Sequence, residues 1–363
     1  MKGDEYHGAG KCPVGRIREA GMIRRDGYEE SVAKALKKIA DHIPEDLVQK
    51  FTEKSGMTKD DIHPITPGPA GIVSAIDGSN AMIAEGGSIS LAAIRAARTT
   101  FKGNERHNRS TTPLTLVTIG PGHRNTDFDE LFEECFGMPP HKGLDNADPE
   151  RASAILRDTL EYWVTLQTAQ TLPAGALLLM DGALRVSSQN HEPVLAEIVK
   201  TAGERDLLLA AVAKRTRATW GGGHPLLPAI SGLVAEFGIT GPWWAKIDEH
   251  LLDHTEYRQG RHGEIYVASL HPQYNRPLKM ELPKGTGIDT TNKTLQALAA
   301  CADDGRIPGY PYPLLDAHRT VVIDEALVTQ LQQDIKAGLS KQGIQNRIFK
   351  ELFGDLHGDF ERY

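Results

Sequence analysis

The sequence has few cysteines, no long apolar run and no excess of positive charge, and each shortage excludes a class of protein. Its three cysteines, Cys12, Cys135 and Cys301, lie far apart and form no CxxC pair, which excludes a zinc ribbon and a disulfide scaffold. No apolar run approaches the ~18 residues that a transmembrane helix needs. Because the net charge is −7, any contact with nucleic acid must use a local basic surface.

Two further absences narrow the choice of function. The glycine run 221–223 is followed by His224 and Pro225 instead of Lys and Ser or Thr, so it is no phosphate-binding loop and we expect no ATP hydrolysis. The first residues show no apolar segment typical of a signal peptide, so we expect a cytoplasmic protein without membrane attachment. The 363 residues have an ordinary globular composition, 40% apolar and 25% charged, which is enough for a sizeable core.

Three regions are predicted along the chain. Apolar residues at helical spacing predict one amphipathic helix over 28–54, with an apolar face formed by Val32, Leu36, Ile39 and Ile43. The Pro/Gly-rich segment 63–71 then indicates a boundary. We therefore predict an N-terminal helical arm over 1–65, a core domain over 66–325 and a C-terminal helical extension over 326–363.

Strand and helix patterns alternate through the core. Strands are predicted at 72–76, 87–100, 114–119, 176–180 and 207–213, with a β-hairpin at 264–270 and 277–282. Helices are predicted at 127–136, 149–171, 192–204, 225–237, 291–303 and 316–353. Such a mixture of strands and helices indicates an α/β fold.

Two acidic dipeptides follow buried strands. Asp77-Gly78 ends the first predicted strand, and Asp181-Gly182 ends the fourth. Carboxylates at strand ends lie at an edge of the sheet that a ligand can reach, and glycine allows the chain to turn sharply there. The alternative interpretation is a plain turn, because Asp-Gly is a common turn pair.

A third carboxylate, Glu161, lies in an apolar part of the predicted helix 149–171. A buried charge needs a partner. Arg157, four residues earlier, pairs with Glu161 if this helix face is solvated, and a metal ion is the partner if the face is buried. Three converging carboxylates suit Mg²⁺ or Mn²⁺, which prefer oxygen ligands, and two such ions about 3.5–4 Å apart serve phosphodiester hydrolysis.

Basic and aromatic residues extend this pattern. Lys214 ends the strand 207–213, where it either holds a phosphate or lies on a solvated turn. The string 308–318 predicts a helix beginning around 314–316, with Tyr310, Tyr312 and His318 near its anion-binding N-terminus. A further basic group either follows a DNA backbone or forms a surface loop: Arg95, Arg98, Lys102, Arg106 and Arg109.

The ordered set of motifs resembles the NurA family of nucleases. The matching segments are Ala75–Ser79, the helix carrying Glu161, Leu177–Leu184, Ala211–Lys214, Arg276–Glu281 and Gly309–His318. The Asp-Gly segments are common in proteins, whereas the Gly-Tyr-Pro-Tyr-Pro string that leads to Ala317-His318 is specific.

The resemblance implies an RNase H-like α/β core with N- and C-terminal helical extensions. It implies a Mn²⁺-dependent deoxyribonuclease, with Mg²⁺ as the alternative metal, that acts as a 5′-to-3′ exonuclease and single-strand endonuclease on single-stranded DNA and duplex ends. It also implies a homodimer and a HerA-type hexameric ATPase partner in DNA end resection and double-strand break repair.

The resemblance also carries residue roles onto this chain. The implied metal ligands are Asp77, Glu161, Asp181 and His318. The same four residues, together with Lys214 and Tyr310, are the implied catalytic residues. Glu281 matches a further functional position of the family.

Three alternatives remain open at this stage. The first alternative is a non-catalytic DNA-binding subunit or HerA clamp, and the second is a nuclease of an anti-phage defence system. The third is a zinc hydrolase that uses His250 and His254. The Glu of an HExxH motif is missing from this segment, which favours the interpretation that both histidines lie on an exposed polar helix. Separately, Trp220, Trp243 and Trp244 either stack on bases or pack in the core, and core packing is favoured.

Overall fold

A computed structural model describes residues 25–42, 44–68, 71–120, 126–144, 148–253, 260–274, 276–343 and 346–354. They belong to two units, Met1–Glu45 and Asp46–Tyr363. The first unit contributes helix α1, Arg25–His42, and every other described element belongs to the second unit. None of the described helices is both long and apolar enough to cross a membrane.

The second unit combines nine described helices with twelve described strands. The helices are α2 Leu47–Ser55, α3 Thr126–Phe136, α4 Pro149–Thr171, α5 Glu192–Glu204, α6 Leu226–Glu236, α7 Ile288–Ala300, α8 Tyr312–Val321, α9 Glu325–Lys341 and α10 Asn346–Phe353. The strands are β1 His63–Pro64, β2 Ile72–Ala84, β3 Ser90–Lys102, β4 Glu105–Thr111, β5 Thr115–Ile119, β6 Leu177–Asp181, β7 Leu208–Val212, β8 Thr219–Trp220, β9 His224–Pro225, β10 Trp243–Ile247, β11 Gly263–Ser269 and β12 Leu278–Pro283.

Ten of these strands form one mixed sheet in the order β1-β10-β11-β12-β7-β6-β2-β3-β4, with β5 also paired to β3. Strands β2, β6 and β7 run parallel, whereas β3 lies antiparallel between β2 and β4. The order β4-β3-β2-β6-β7 with only its second strand reversed is that of an RNase H-like core. The predicted α/β class and RNase H-like fold are therefore confirmed.

Helices cover both faces of the central strands. On one face, α4 and α5 pack on the sheet through residues such as Leu156, Leu195 and Met180. On the other face, α7 and α8 pack through residues such as Leu295, Leu314 and Leu179. A sheet buried on both faces explains why β6 and β7 are continuous apolar runs instead of alternating patterns.

Two predicted helices are wrong in their extent, both for local reasons. The helix predicted over 28–54 is divided, because α1 ends at His42 and α2 begins at Leu47. Pro44 lies between them and disfavours helical backbone at its predecessor; the predicted face residue Ile43 lies outside the described residues. The helix predicted over 316–353 is three helices, and α9 begins afresh where the Asp324 carboxylate accepts a hydrogen bond from Leu327 N.

Two strands also differ from the prediction. Strand β2 continues to Ala84, so Asp77-Gly78 lies within a strand and does not end one. Strand β4 was not predicted, because all seven of its residues are exposed and show no apolar alternation. It forms a hairpin with β3 around Gly103, whose φ of +62° suits the turn.

Candidate active site

Three neighbouring parallel strands bring Asp77, Asp181 and Lys214 together, Asp77 from within β2 and the other two from the ends of β6 and β7. Ile76 of β2 pairs with Met180 of β6, so the two aspartates that follow lie side by side. Lys214 follows β7, the next strand. Its Nζ lies 2.7 Å from Asp77 Oδ2 and 2.9 Å from Asp181 Oδ2. One ammonium group therefore bridges two carboxylates.

His318 reaches the same carboxylate from α8. Its Nδ1 lies 2.9 Å from Asp77 Oδ2 and 3.2 Å from Lys214 Nζ. Helix α8 begins at Tyr312, with Pro311 before it and Pro313 in its first turn, and it ends at Val321. The predicted place of His318 at a helix N-terminus is therefore wrong, because its ring lies in the last turn.

Glu161 approaches from α4, on the other face of β2. A Cβ atom on Gly78 would lie only 2.9 Å from Glu161 Oε2 and 2.8 Å from Arg157 Cγ. Gly78 is thus required so that α4 can pack closely against the strand, and not for a turn. The second dipeptide behaves as predicted, since Gly182 turns the chain after β6 with φ of +95°.

These side chains line one cleft of about 310 Å³, the acidic cleft, defined by Asp77, Glu161, Asp181, Lys214 and His318. Its wall also contains Asp158, which belongs to none of the sequence motifs. Asp158 lies three residues before Glu161 on α4, so helical spacing places both carboxylates on one helix face. It accepts hydrogen bonds from Ser187 Oγ and from the Arg157 guanidinium.

The cleft concentrates negative charge in a buried place. Burial raises the pKa of the Glu161 carboxyl well above its ordinary value; the charge of Arg157 opposes this shift, and the carboxylates of Asp158 and Asp77 add to it. Burial likewise raises the pKa of Asp181, against the lowering effect of Lys214. Each carboxylate is thus destabilised as an anion unless a cation lies close to it.

Three cationic residues line the cleft, Lys214, Arg157 and Arg185, and the acids shift the pKa of the first two. Burial alone would lower the pKa of Lys214, but the carboxylates of Asp181 and Asp77 reverse the direction and raise it. Burial would likewise lower the pKa of Arg157, but the carboxylates of Asp158 and Glu161 outweigh this effect and raise it. Both side chains therefore carry a positive charge at neutral pH.

A metal fits the donor set, although no ready-made cage is present. Within the described residues, no three His, Cys, Asp or Glu side chains are arranged together as ligands of one ion. Asp181 Oδ1 is nevertheless buried without a hydrogen-bond partner, and Asp77 Oδ2 contacts only Lys214 and His318 among the described groups. A buried carboxylate oxygen that lacks a hydrogen-bond partner, as Asp181 Oδ1 does, suits a hard divalent cation.

Tyr310 lies beside the acidic cleft and not in it. The residue is 9% exposed, and its hydroxyl has no hydrogen-bond partner among the described atoms. Burial raises the pKa of this hydroxyl, and the charges of Asp181 and Asp77 raise it further. Tyr310 is therefore a protonated hydrogen-bond donor close to the two aspartates.

Glu281 lies behind the site in the sheet. It is fully buried on β12, where its carboxylate accepts hydrogen bonds from Arg261 at 2.7 Å and from Lys279 at 2.5 Å. Its other oxygen accepts from the backbone N–H of Leu184 at 3.0 Å, in the loop that follows Asp181. Glu281 thus supports the loop of one acidic residue from a neighbouring strand.

The five basic residues that were predicted to follow a DNA backbone or to form a surface loop lie on the two strands of the β3–β4 hairpin: Arg95, Arg98, Lys102, Arg106 and Arg109. Arg95 donates hydrogen bonds to the carbonyls of Val321 and Val322, at the end of α8. Arg106 and Arg109 both pair with the buried Asp316 of α8. These three arginines therefore hold the helix that carries His318.

The structure also bears on the proposed zinc site at His250 and on the predicted places of three tryptophans. His250 lies in a 3₁₀ turn, Glu249–Leu251, so no α-helix places it at the i, i+4 spacing, and His254 lies outside the described residues. The tryptophans 220, 243 and 244 are all at most 2% exposed and pack in the core, as favoured.

Comparisons with known proteins found one family and several solved structures to which the chain is similar. A model of the NurA domain matches residues 71–323, well over half of the chain. The crystal structure of the NurA nuclease from Sulfolobus solfataricus has a TM-score of 0.56 at 16% identity, covering 88% of this chain and 98% of that one. The catalytic domain of human endonuclease V has a TM-score of 0.35 at 14% identity, covering 82% of this chain and 99% of that one. No curated protein sequence matches the chain.

Proposed function

The chain belongs to the NurA family, and on this premise we propose that it is a metal-dependent deoxyribonuclease that hydrolyses phosphodiester bonds. The observation that carries the proposal is the convergence of Asp77, Asp181 and Lys214 from three neighbouring strands, with His318 on the same carboxylate. Such a cleft concentrates groups that bind a cation and groups that bind a phosphate in one place.

Asp77, Glu161 and Asp181 are the residues that would hold the metal, because their oxygens are the donors that Mn²⁺ and Mg²⁺ prefer. Bound divalent ions polarise the phosphate and lower the pKa of the attacking water. We assign Mn²⁺ from the family resemblance, with Mg²⁺ as the alternative. A structure of a NurA protein solved with manganese is in line with this assignment.

Lys214 has two roles in this proposal. Its ammonium neutralises Asp77 and Asp181, which would otherwise repel each other by about 4 kcal/mol at a separation near 4 Å and an effective dielectric near 20. If Asp77 and Asp181 held a divalent cation, that ion would supply this neutralisation in place of the ammonium. The Lys214 ammonium would then be available to bind a non-bridging phosphate oxygen and to stabilise the charge that develops there.

His318 contacts Asp77 through Nδ1, which leaves Nε2 available for a metal or a substrate. When Nδ1 donates its proton to Asp77 Oδ2, Nε2 carries the lone pair. The ring is about half exposed, so a substrate can reach it. We propose that Nε2 either ligates the metal or moves a proton to or from the reacting oxygens, and that the Tyr310 hydroxyl donates to the phosphate.

The finer biological role rests on the family resemblance. We propose single-stranded DNA and duplex ends as substrates, 5′-to-3′ exonuclease and single-strand endonuclease activity, and a homodimer. The glycine run 221–223 is not a phosphate-binding loop, so movement along DNA needs an ATPase partner, for which we propose a HerA-type hexamer. DNA end resection in double-strand break repair, in the cytoplasm, is the proposed process, and anti-phage defence is the alternative.

A non-catalytic DNA-binding or HerA-clamp subunit is the second candidate, and one observation favours it. The Lys214 ammonium already bridges one oxygen of Asp77 and one of Asp181, which neutralises part of their charge without any metal. In a clamp this ion pair would be permanent, and Mn²⁺ would not displace it.

Calorimetric titration with Mn²⁺ and cleavage of end-labelled DNA separate the two candidates. We expect the wild type to bind Mn²⁺ and to cut DNA, and Asp77→Asn to fold normally but to lose both properties. The matched control is Asp206→Asn, the same change at an exposed site before β7, at the opposite end of the strand. Wild-type protein that binds no Mn²⁺ would establish the clamp, and full cleavage by Asp77→Asn in a clean preparation would reject the nuclease site.

A further inference from the structure

The Arg157 guanidinium lines the acidic cleft, but it does not bind the acid that its place on α4 predicts. Residues four apart on a helix are neighbours and adjacent residues are not, so Glu161 is the expected partner. Instead, Arg157 Nε and Nη2 donate to Asp158 Oδ1, at 3.1 and 2.5 Å. The third nitrogen, Nη1, lies 3.4 Å from Asn80 Oδ1 on β2. Every nitrogen of the guanidinium group thus has a partner other than Glu161.

This arrangement leaves the Glu161 carboxylate uncovered by its nearest cation. Among the described residues, the ion pair of Arg157 is with Asp158 and not with Glu161. The charge of Arg157 still acts on Glu161 through space, where it lowers the pKa of the carboxyl against the larger effect of burial. Arg157 therefore offsets part of the charge of Glu161 without occupying the oxygens that would bind a metal.

The Asp158 carboxylate is itself held on both sides. Its Oδ2 atom accepts a hydrogen bond from Ser187 Oγ at 2.5 Å, in the loop that follows β6, and its Oδ1 atom accepts from Arg157. Its side chain is only 14% exposed, so solvent screens the ion pair with Arg157 less than it screens a surface pair. Asp158 is thus a fixed acceptor for the guanidinium group, located beside the acidic cleft.

We propose that Asp158 is a positioning residue that holds the Arg157 guanidinium away from Glu161 and so keeps the Glu161 oxygens open to a divalent cation; this inference rests on the proposed function. A guanidinium group pairs with a carboxylate through two parallel N–H bonds, which occupy both oxygens. A cation would have to displace such a pair before it could bind Glu161. Without Asp158, helical spacing makes Glu161 the partner of Arg157.

A double-mutant cycle on Mn²⁺ affinity, measured by calorimetry, tests the inference. We expect Asp158→Ala to lower the affinity roughly tenfold or more, because Arg157 then competes with the metal for Glu161. In an Arg157→Leu background the same change should lower it only a few-fold, through the lost carboxylate charge, because no guanidinium remains to compete. Equal losses in the two backgrounds would overturn the inference, since a merely structural role of Asp158 does not depend on Arg157.

The matched control is Ser187→Ala, which removes the other partner of Asp158. We expect it to change the Mn²⁺ affinity much less than Asp158→Ala does; an equal loss would assign the effect to the loop after β6 and overturn the role of Arg157.

A crystal structure of Asp158→Ala in EDTA tests the inference without any metal, and it serves if Arg157→Leu does not fold. We expect an Arg157 nitrogen within about 3.5 Å of a Glu161 carboxylate oxygen. A guanidinium that stays away from Glu161 would refute the inference. Wild-type protein that binds no Mn²⁺ would refute the proposed function instead, and the crystal structure then decides whether Asp158 holds Arg157 away from Glu161.

Discussion

Removing the Glu281 carboxylate should lower the free energy of unfolding far more than removing one partner of an exposed ion pair. Glu281 and Arg261 have side chains that are 0% and 1% exposed, and Lys279 is 8% exposed. In Glu281→Ala two buried cations lose their shared carboxylate, and the Leu184 N–H loses its acceptor. Breaking a buried pair of this kind costs about 3–5 kcal/mol of unfolding free energy.

The neighbouring strand offers a matched control. Glu264 on β11 pairs with Lys246 at 2.8 Å, the same kind of contact, but this lysine is 52% exposed. Solvent screens such a pair, so Glu264→Ala should cost about 0–1 kcal/mol. Equilibrium urea denaturation of both variants in EDTA measures the two changes side by side. A cost below about 1 kcal/mol for Glu281→Ala, equal to that of the control, would refute the reasoning from burial.

The same residue should affect the metal site through the loop after Asp181. Glu281→Gln keeps the shape of the side chain and an oxygen for the Leu184 N–H, but it loses the negative charge. It leaves the buried Arg261 and Lys279 without their carboxylate, so we expect it to be destabilised as well, but the folded protein should bind Mn²⁺ about as well as the wild type, whereas Glu281→Ala binds it more weakly. Equal Mn²⁺ affinity in both variants, measured by calorimetry, would show that Glu281 does not position this loop.

Two further predictions concern α4 and its contact with β2. Because burial raises the pKa of Glu161, the folded state holds this proton more tightly than the unfolded state; the carboxyl therefore costs little stability below its ordinary pKa of 4.5 and a growing amount as the pH rises. In EDTA, Glu161→Gln should accordingly gain unfolding free energy over the wild type as the pH increases above this value, and a gain independent of pH would contradict it. Gly78→Ala should cost about 1–3 kcal/mol, because its Cβ would lie 2.8 Å from Arg157 Cγ, and it should reduce DNA cleavage. Gly203→Ala in α5, where a Cβ meets nothing within 4 Å, should instead stabilise the protein by about 0.5–1 kcal/mol in thermal unfolding; equal effects at both glycines would argue against close packing.

Some elements were predictable because their causes are local. Helices α4 and α5 have the predicted bounds, 149–171 and 192–204. Both carry a proline in the first turn, and the Asp148 carboxylate before α4 accepts a hydrogen bond from Arg151 N. Such signals act within a few residues and are readable from the sequence.

Other elements were not predictable because distant parts of the chain create them. Strand β4 has no apolar pattern and exists through its pairing with β3. Gly78 resembles a turn residue, but its need for a small side chain comes from Arg157 and Glu161, some eighty positions later. Nothing in the residues around Asp77 indicates that a helix must approach so closely there.

The ordered motifs were enough to single out Asp77, Glu161 and Asp181 together with Lys214 and His318. Which of their atoms meet depends on how the whole chain folds. Lys214 and His318 contact the same Asp77 oxygen from 137 and 241 positions along the chain. Contacts of this range follow from strand register and helix packing, which depend on the whole buried core and not on local spacing.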